Sequence, residues 1–274
     1  MVKQVEIIVN DNNIPLSIYE LLYRVAPTGF VERKDNFLHR FVLFIEEDAL
    51  DTVLNQLNGY DWITEIKIGD SVEEEGWLSS WRDNYKPIVV PPFKIIPSWL
   101  KNSELVEGYI PIYINSGIAF GTGEHETTRL SLRLLASLNV KGKSVLDIGT
   151  GSGILAIAAA KLGATVEAFD LDPVAVEVAR ENIKLNGVDD IRVFVDNALK
   201  YNKGSYDIVI ANLVWSILSE IPFSIKKLAS GGLLIVSGIL SEQLSDFIEL
   251  YEKAGFTYIK YIEENDWVGV LLSG

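Results

Sequence analysis

The sequence predicts an α/β protein in which a small α+β unit precedes a larger domain with a mostly parallel sheet. Three observations support this fold class. The first 70 residues place strands and helices in the order β-α-β-β-α-β, which is that of a ferredoxin-like unit. From about residue 125, strands alternate with helices, as in a parallel sheet covered on both faces. The last two strands follow each other directly, which predicts an antiparallel hairpin.

In the small unit, apolar residues repeat with the period of each element. The first helix carries Ile18, Leu21, Leu22 and Val25 at three- and four-residue spacing. Turn residues 34–36 separate the second and third strands. The predicted strands are Val2–Val9, Thr28–Arg33, Leu38–Ile45 and Trp62–Ile68, and the predicted helices are Pro15–Val25 and Asp48–Leu57.

Residues 71–115 read as a connector between two domains, 1–70 and 116–274. Four prolines between positions 87 and 97 break regular structure and favour short extended pieces. Trp77 and Trp81 lie four residues apart, and we expect them to pack between the domains.

The larger domain alternates five strands with helices before its final hairpin. We expect the last strand to run antiparallel in the edge region of the sheet. The predicted strands are Ser144–Ile148, Thr165–Asp170, Ile191–Val195, Tyr206–Ala211, Leu233–Gly238, Phe256–Ile262 and Trp267–Leu272. The predicted helices are His125–Leu138, Gly153–Leu162, Pro173–Asn186, Val214–Leu228 and Glu242–Ala254.

Composition narrows the function classes. The 274 residues include no Cys and two His, which excludes thiolate chemistry and leaves no metal-ligand cluster. The formal net charge is -14, and acidic groups exceed basic ones by seven both in residues 1–100 and in 101–274. We therefore expect a basic protein partner and no direct contact with nucleic acid. No leader or membrane span is visible, so we expect a cytoplasmic protein, and a monomer.

The most informative stretch is a glycine loop after a buried strand. Gly149, Gly151 and Gly153 occupy every second position and lead into a helix, where backbone N–H groups can meet a polar ligand. Asp170 follows Gly149 by 21 residues at the end of the next strand, where a carboxylate can accept both ribose hydroxyls. This combination predicts an adenosine-containing ligand.

Two features favour S-adenosylmethionine over NAD. The third glycine comes one residue earlier than in the dinucleotide pattern G-x-G-x-x-G. Asp147, directly before the loop, is a poor neighbour for a pyrophosphate but suits a sulfonium or an α-amino group. Asp172, followed by Pro173, reads as the cap of the next helix.

At this point the chain resembles a known family. The strand, glycine loop and helix, with Asp170 and the late hairpin, resemble a Rossmann-like class I S-adenosylmethionine-dependent methyltransferase with seven strands, the last antiparallel. The segment Phe120–Thr128 and the strand end at Ile210–Leu213 narrow the resemblance to the PrmA family. That family methylates lysines, and an N-terminal α-amino group, of the large-subunit stalk-base protein L-eleven (L11).

The resemblance implies roles for individual residues. Thr128, Gly149, Asp170 and Asn212 fall on the family's cofactor-binding positions. The Thr128 hydroxyl would contact the methionine carboxylate, or cap its helix. His125 reads as a site residue or as ordinary polarity at a helix start. Domain 1–70 would recognise the substrate and domain 116–274 would carry out S-adenosylmethionine-dependent methyl transfer.

Asn212 is the predicted catalytic residue because it can orient the acceptor amine. Many amine methyltransferases carry Asn-Pro-Pro-aromatic at this strand end, whereas this chain has Asn212 and Trp215 without the two prolines. Trp215 could equally be a core residue. The alternatives are a methyltransferase acting on an amine of RNA or of a small molecule, an NAD-dependent dehydrogenase, and a non-catalytic binding protein.

Overall fold

A computed structural model of the chain describes residues 2–10, 18, 21–22, 25–26, 30–35, 38–60, 62–72, 86–104, 106–115 and 121–274. The chain divides into two compact units, Met1–Tyr85 and Lys86–Gly274. The predicted connector, 71–115, therefore falls partly in each unit. Trp77 and Trp81 lie outside the described residues.

The first unit contains a four-stranded antiparallel sheet. Its strands are β1 (Val2–Asn10), β2 (Phe30–Asp35), β3 (Leu38–Glu46) and β4 (Ile63–Val72), and its helix α1 spans Leu50–Leu57. They lie in the order β2-β3-β1-β4, which is the ferredoxin-like arrangement that the sequence predicts. The apolar residues of the predicted first helix are buried with those of one sheet face. Lys34 and Asp35, predicted in a turn, instead end β2.

Three short strands open the second unit. They are β5 (Ile88–Val90), β6 (Phe93–Pro97) and β7 (Ile110–Ile114), with a 3₁₀ turn at Ser98–Leu100. The proline-rich segment thus forms the extended pieces that were expected of it. β6 and β7 are parallel, and their apolar residues share a core with the helices that follow.

The main sheet of the second unit has seven strands. They are β8 (Ser144–Ile148), β9 (Thr165–Asp170), β10 (Ile191–Val195), β11 (Ile208–Asn212), β12 (Leu233–Leu240), β13 (Thr257–Glu264) and β14 (Trp267–Ser273). The order is β10-β9-β8-β11-β12-β14-β13, and only the pairs that involve β14 are antiparallel. This confirms the predicted seven-stranded fold with an antiparallel last strand.

Helices cover both faces of this sheet. Val145 on β8 points into one core and its neighbour Leu146 into the other, as period-two alternation requires. The helices are α2 (Glu126–Ala136), α3 (Ile154–Lys161), α4 (Pro173–Asn186), α5 (Trp215–Leu218), α6 (Pro222–Leu228) and α7 (Leu244–Lys253, after a 3₁₀ turn at Ser241–Gln243). Among the described helices, none is both long and apolar enough to cross a membrane.

The structure corrects three predicted elements. The helix predicted over Val214–Leu228 is two helices, because Pro222 has no N–H to continue the first one and starts the second. β11 begins two residues later than predicted and ends on Asn212. The last strand, β14, lies between β12 and β13, so the edge strand is β13.

Candidate functional site

Six of the seven predicted site residues lie at or directly after the carboxyl ends of β8, β9 and β11, and the seventh, Thr128, lies in α2. β8 lies between β9 and β11, and its last residue, Ile148, pairs with Phe169 on one side and Ala211 on the other. The chain runs from β8 to β9 on one side and returns to β11 on the other. Ligands of open α/β sheets bind in the crevice that this reversal of strand order creates.

The glycine loop, Gly149–Gly153, turns sharply out of β8. Gly149, Gly151 and Gly153 all have positive φ angles, of 71°, 53° and 82°. The N–H groups of Gly149 and Thr150 donate to the carbonyl of Phe169 at 2.9 and 3.0 Å, which anchors the loop to β9. Gly153 is the N-cap of α3, so the loop leads into the positive end of that helix.

Asp147 is fully buried beneath this loop. Its Oδ2 accepts hydrogen bonds from Thr150 Oγ1 at 2.7 Å and from the Ala156 N–H at 3.2 Å, while its Oδ1 has no partner among the described residues. Burial raises the pKa of Asp147 to about 7 from its ordinary 3.8; the two hydrogen bonds oppose the rise and the charge of Asp170 adds to it. Asp147 can therefore exchange a proton near neutral pH.

Asp170 ends β9 with both carboxylate oxygens oriented by the backbone. Oδ2 accepts from the Gly151 N–H at 2.9 Å, and Oδ1 accepts from the Asp172 N–H at 3.1 Å. The carboxylate is thus tied to the glycine loop, and each oxygen retains a further lone pair. Asp172 caps α4 through the Val174 N–H at 2.8 Å, as the sequence predicts.

Thr128 lies in the first turn of α2 and is fully buried. The helix is capped by His125, whose Nδ1 accepts from the Thr127 N–H at 3.3 Å. Helix capping is therefore not the role of Thr128, and its hydroxyl has no partner within the described part of the chain. Burial lowers the pKa of His125 to about 4, so the ring is neutral near pH 7 and can serve as this cap.

Two contacts hold the segment before α2 in place. Ser152 of the glycine loop donates its hydroxyl to the Gly121 carbonyl at 2.7 Å. Arg129 donates to the carbonyls of Gly123 and Glu124 and also pairs with Glu264 at 2.6 Å. The start of α2 is therefore fixed to both the glycine loop and the terminal hairpin.

Asn212 is the last residue of β11 and pairs with Ser237 on β12. It is half-buried and, like Asp170, lies at the carboxyl end of a strand of the main sheet. Trp215 lies three residues on and packs edge-to-face on Phe247, with 6.4 Å between ring centroids. This contact agrees with the core role that was considered for Trp215.

Sequence reasoning missed a residue at the carboxyl end of a fourth strand, β10. Asp196 directly follows β10, and its N–H donates to the Asp170 carbonyl at 3.0 Å. Two apolar residues that follow these strand ends in the sequence, Leu171 and Leu199, are 65% and 47% exposed. Exposed apolar side chains close in sequence to strand-end carboxylates suit a flat ring that carries hydrogen-bond donors. The rule that ligands bind at strand ends could have identified Asp196 in the sequence.

The arrangement fits an adenosine-containing, positively charged ligand. Buried oxygens of Asp147, Thr128 and Ser131 lack hydrogen-bond partners among the described residues, although such groups are nearly always hydrogen-bonded. Ser131 lies one turn further along α2, whereas Asp147 and Thr128 are predicted cofactor-binding residues. The three glycines of the loop hold positive φ angles that residues with a side chain rarely adopt. No group of three or more His, Asp or Glu suited to a metal ion occurs in the described residues.

Comparisons with known proteins identify the family that the chain matches. The family model described as ribosomal protein L11 methyltransferase (PrmA) matches residues 27–273. The ribosomal protein L11 methyltransferase of Bacillus cytotoxicus is 38% identical over 81% of this chain and 73% of its own. That of Acetivibrio thermocellus is 40% identical over 81% and 70%. The crystal structure of a ribosomal protein L11 methylase from Lactobacillus delbrueckii superposes with a TM-score of 0.64 at 33% identity, covering 69% of this chain and 98% of that one.

Proposed function

Because the chain belongs to the ribosomal protein L11 methyltransferase (PrmA) family, we propose that it transfers methyl groups from S-adenosylmethionine to amines of ribosomal protein L11. The acceptors are lysine side chains and the N-terminal α-amino group. The enzyme acts as a cytoplasmic monomer and does not bind nucleic acid directly. The observation that carries the proposal is the meeting of the glycine loop, Asp170 and Asn212 at one sheet edge.

S-adenosylmethionine, when bound, supplies a methyl group on a sulfonium that needs neither a metal nor a covalent relay. Asp170 would accept hydrogen bonds from the two ribose hydroxyls, since the Gly151 N–H already orients its carboxylate. Asp147 would face the positive charge of the ligand. Thr128 would donate its unpartnered hydroxyl to the methionine carboxylate. These residues bind and orient the donor.

Asn212 would orient the acceptor. A free lysine has a pKa of about 10.4, so at pH 7 only about one molecule in 2,500 is neutral, a cost of roughly 4.6 kcal/mol. Desolvation of the amine at the sheet edge would lower this cost. The Asn212 amide oxygen can accept a hydrogen bond from the neutral amine and direct its lone pair at the methyl group, so that proximity and alignment supply the rate.

The decisive experiment is transfer of labelled methyl groups from S-adenosylmethionine to purified L11, with ribosomal RNA and free lysine as competing acceptors. We expect label in L11 alone, on lysines and the N-terminal amine by mass spectrometry. Label in RNA, or in the small molecule, would favour the alternative methyltransferase functions. Binding of S-adenosylmethionine without transfer to any acceptor would indicate a binding protein.

The first unit would recognise the basic substrate. Exposed acidic residues cluster at the start of α1, among them Glu46, Asp48 and Asp51. Reversing these three charges to Lys should raise KM for L11 several-fold, most strongly at low salt, and leave the affinity for S-adenosylmethionine unchanged. Reversal of three exposed acidic residues at and just before α7, Glu242, Asp246 and Glu252, is the matched control. If both sets change KM equally, the first unit has no specific recognition role.

A further inference from the structure

Leu213, which follows Asn212, lies between two glycines, one in the glycine loop after β8 and one in β12. A Cβ built on Gly149 of the glycine loop would overlap Leu213 Cδ2 and lie 3.4 Å from its Cγ. A Cβ built on Gly238 of β12 would overlap the Leu213 carbonyl oxygen and lie 3.1 Å from its nitrogen. Both glycines have positive φ angles, 71° and 92°, so both positions require glycine on two counts.

The main chain and the side chain of Leu213 are fixed by different elements. The Leu213 N–H donates to the Ser237 carbonyl at 3.1 Å, which continues the pairing of Asn212 with β12. The side chain extends the other way onto the Cα of Gly149, the first residue after β8. Leu213 therefore fills the space between the loop that would hold the methyl donor and the strand end that would orient the acceptor.

We propose that Leu213 is a positioning residue that sets the distance between the methyl donor and the acceptor amine. This inference rests on the proposed function. In-line attack requires the reacting atoms about 3–3.5 Å apart, and a misplacement of about 1 Å can cost roughly 100-fold in rate. Because Gly149 has no side chain, the glycine loop can lie close to the end of β11. The Leu213 side chain fills the remaining gap and so keeps the distance between the loop and this strand end fixed.

Truncation of Leu213 to Ala should therefore affect turnover more than binding. We expect Leu213→Ala to lower kcat about 10- to 100-fold, while KM for S-adenosylmethionine and for L11 stays within about twofold. Leu213→Met fills a similar volume and should restore most of kcat. Gly238→Ala displaces the Leu213 carbonyl without touching the glycine loop, so it should also lower kcat.

Leu218 offers a matched control because it is fully buried five residues further on, in α5. Leu218→Ala should lower the Tm at least as much as Leu213→Ala does, with kcat kept within about twofold. All variants are assayed well below their Tm, with wild-type transfer to L11 measured in parallel.

The outcomes separate this inference from the proposed function. If the wild-type protein methylates L11 and Leu213→Ala has an unchanged kcat, or loses as much in KM as in kcat, the positioning role is wrong and the proposed function stands. If Leu213→Met fails to restore kcat, or Leu218→Ala loses as much of it, the effect is general destabilisation and the role is again wrong. Absence of methyl transfer by the wild-type protein overturns the proposed function and this inference together.

Discussion

Replacing Asp147 with Asn removes a titratable group from the fully buried end of β8 while keeping the shape of the side chain. Burial raises the pKa of Asp147 from 3.8 to about 7 in the folded chain. Between these two values the folded protein holds a proton that the unfolded chain has released. The free energy of unfolding therefore falls as the pH rises through this window.

The magnitude follows from the two pKa values. The stability contributed by protonated Asp147 is fully present below pH 3.8 and is lost as the pH rises through about 7. One pKa unit corresponds to about 1.4 kcal/mol, so wild type should lose about 3 kcal/mol through this group between pH 5 and pH 8. Asp147→Asn lacks this titration. Relative to wild type, its free energy of unfolding should rise by about 3 kcal/mol over the same range.

The assay is urea unfolding of both proteins at several pH values between 5 and 8. The constant cost of burying the Asn amide cancels in the comparison, because it does not depend on pH. Asp190→Asn, at an exposed aspartate, is the matched control and measures the effect of removing a carboxylate from the surface. A difference between Asp147→Asn and wild type that stays constant across this range would refute the protonation of Asp147 in the folded state.

The same substitution should act on ligand binding in the opposite direction. If Asp147 faces the positive charge of S-adenosylmethionine, its loss removes a charge-assisted contact of about 1.5–3 kcal/mol. Calorimetry at pH 8 should then show an affinity about 10- to 100-fold weaker for a variant that is relatively more stable at that pH. Equal affinities of wild type and Asp147→Asn would show that Asp147 stabilises the glycine loop and does not contact the ligand.

Three further substitutions, together with Asp172→Ala as a control, test the rest of the site. Thr128→Val removes a buried, unpartnered hydroxyl, so the free energy of unfolding should rise by about 1 kcal/mol while S-adenosylmethionine affinity falls; unfolding and calorimetry on one sample report both. Asp170→Ala should weaken the affinity for S-adenosylmethionine at least about tenfold. Asp172→Ala removes the cap of α4, so it should lower the free energy of unfolding by about 1 kcal/mol and leave that affinity unchanged. Glu264→Gln weakens the pairs with Arg129 and Arg133 and should raise KM for S-adenosylmethionine; an unchanged KM would mean that the hairpin does not position α2.

The main sheet could be predicted because its signals are local. β8, β9 and β10 have the predicted bounds, since each is a short apolar run between turn residues, and α4 is marked by its capping Asp172 and by Pro173. The same local logic predicted too long a helix before Leu228. Apolar periodicity continues through Pro222, and only the missing N–H reveals the break.

The site was only partly predictable because several of its contacts join distant parts of the chain. The glycine loop and Asp170 stand at a recognisable spacing, so their proximity follows from the fold. No spacing rule places Leu213 on Gly149, 64 positions earlier, or Glu264 beside Arg129. Nor does the sequence assign the α2 cap to His125 and thereby leave the Thr128 hydroxyl without a partner.

The buried oxygens of Asp147 and Thr128 lack the hydrogen bonds that most buried polar atoms make. Each lowers stability, since a buried polar atom without a hydrogen bond costs about 1–3 kcal/mol. Asp147 lies beneath the glycine loop, and Thr128 lies in the first turn of α2, after the segment that Ser152 of that loop contacts at Gly121, so a ligand held by the loop could restore the missing bonds. A site that is already desolvated and oriented needs little rearrangement when its ligand binds. The local instability of the site is therefore the physical reason to expect it to bind a cationic methyl donor tightly.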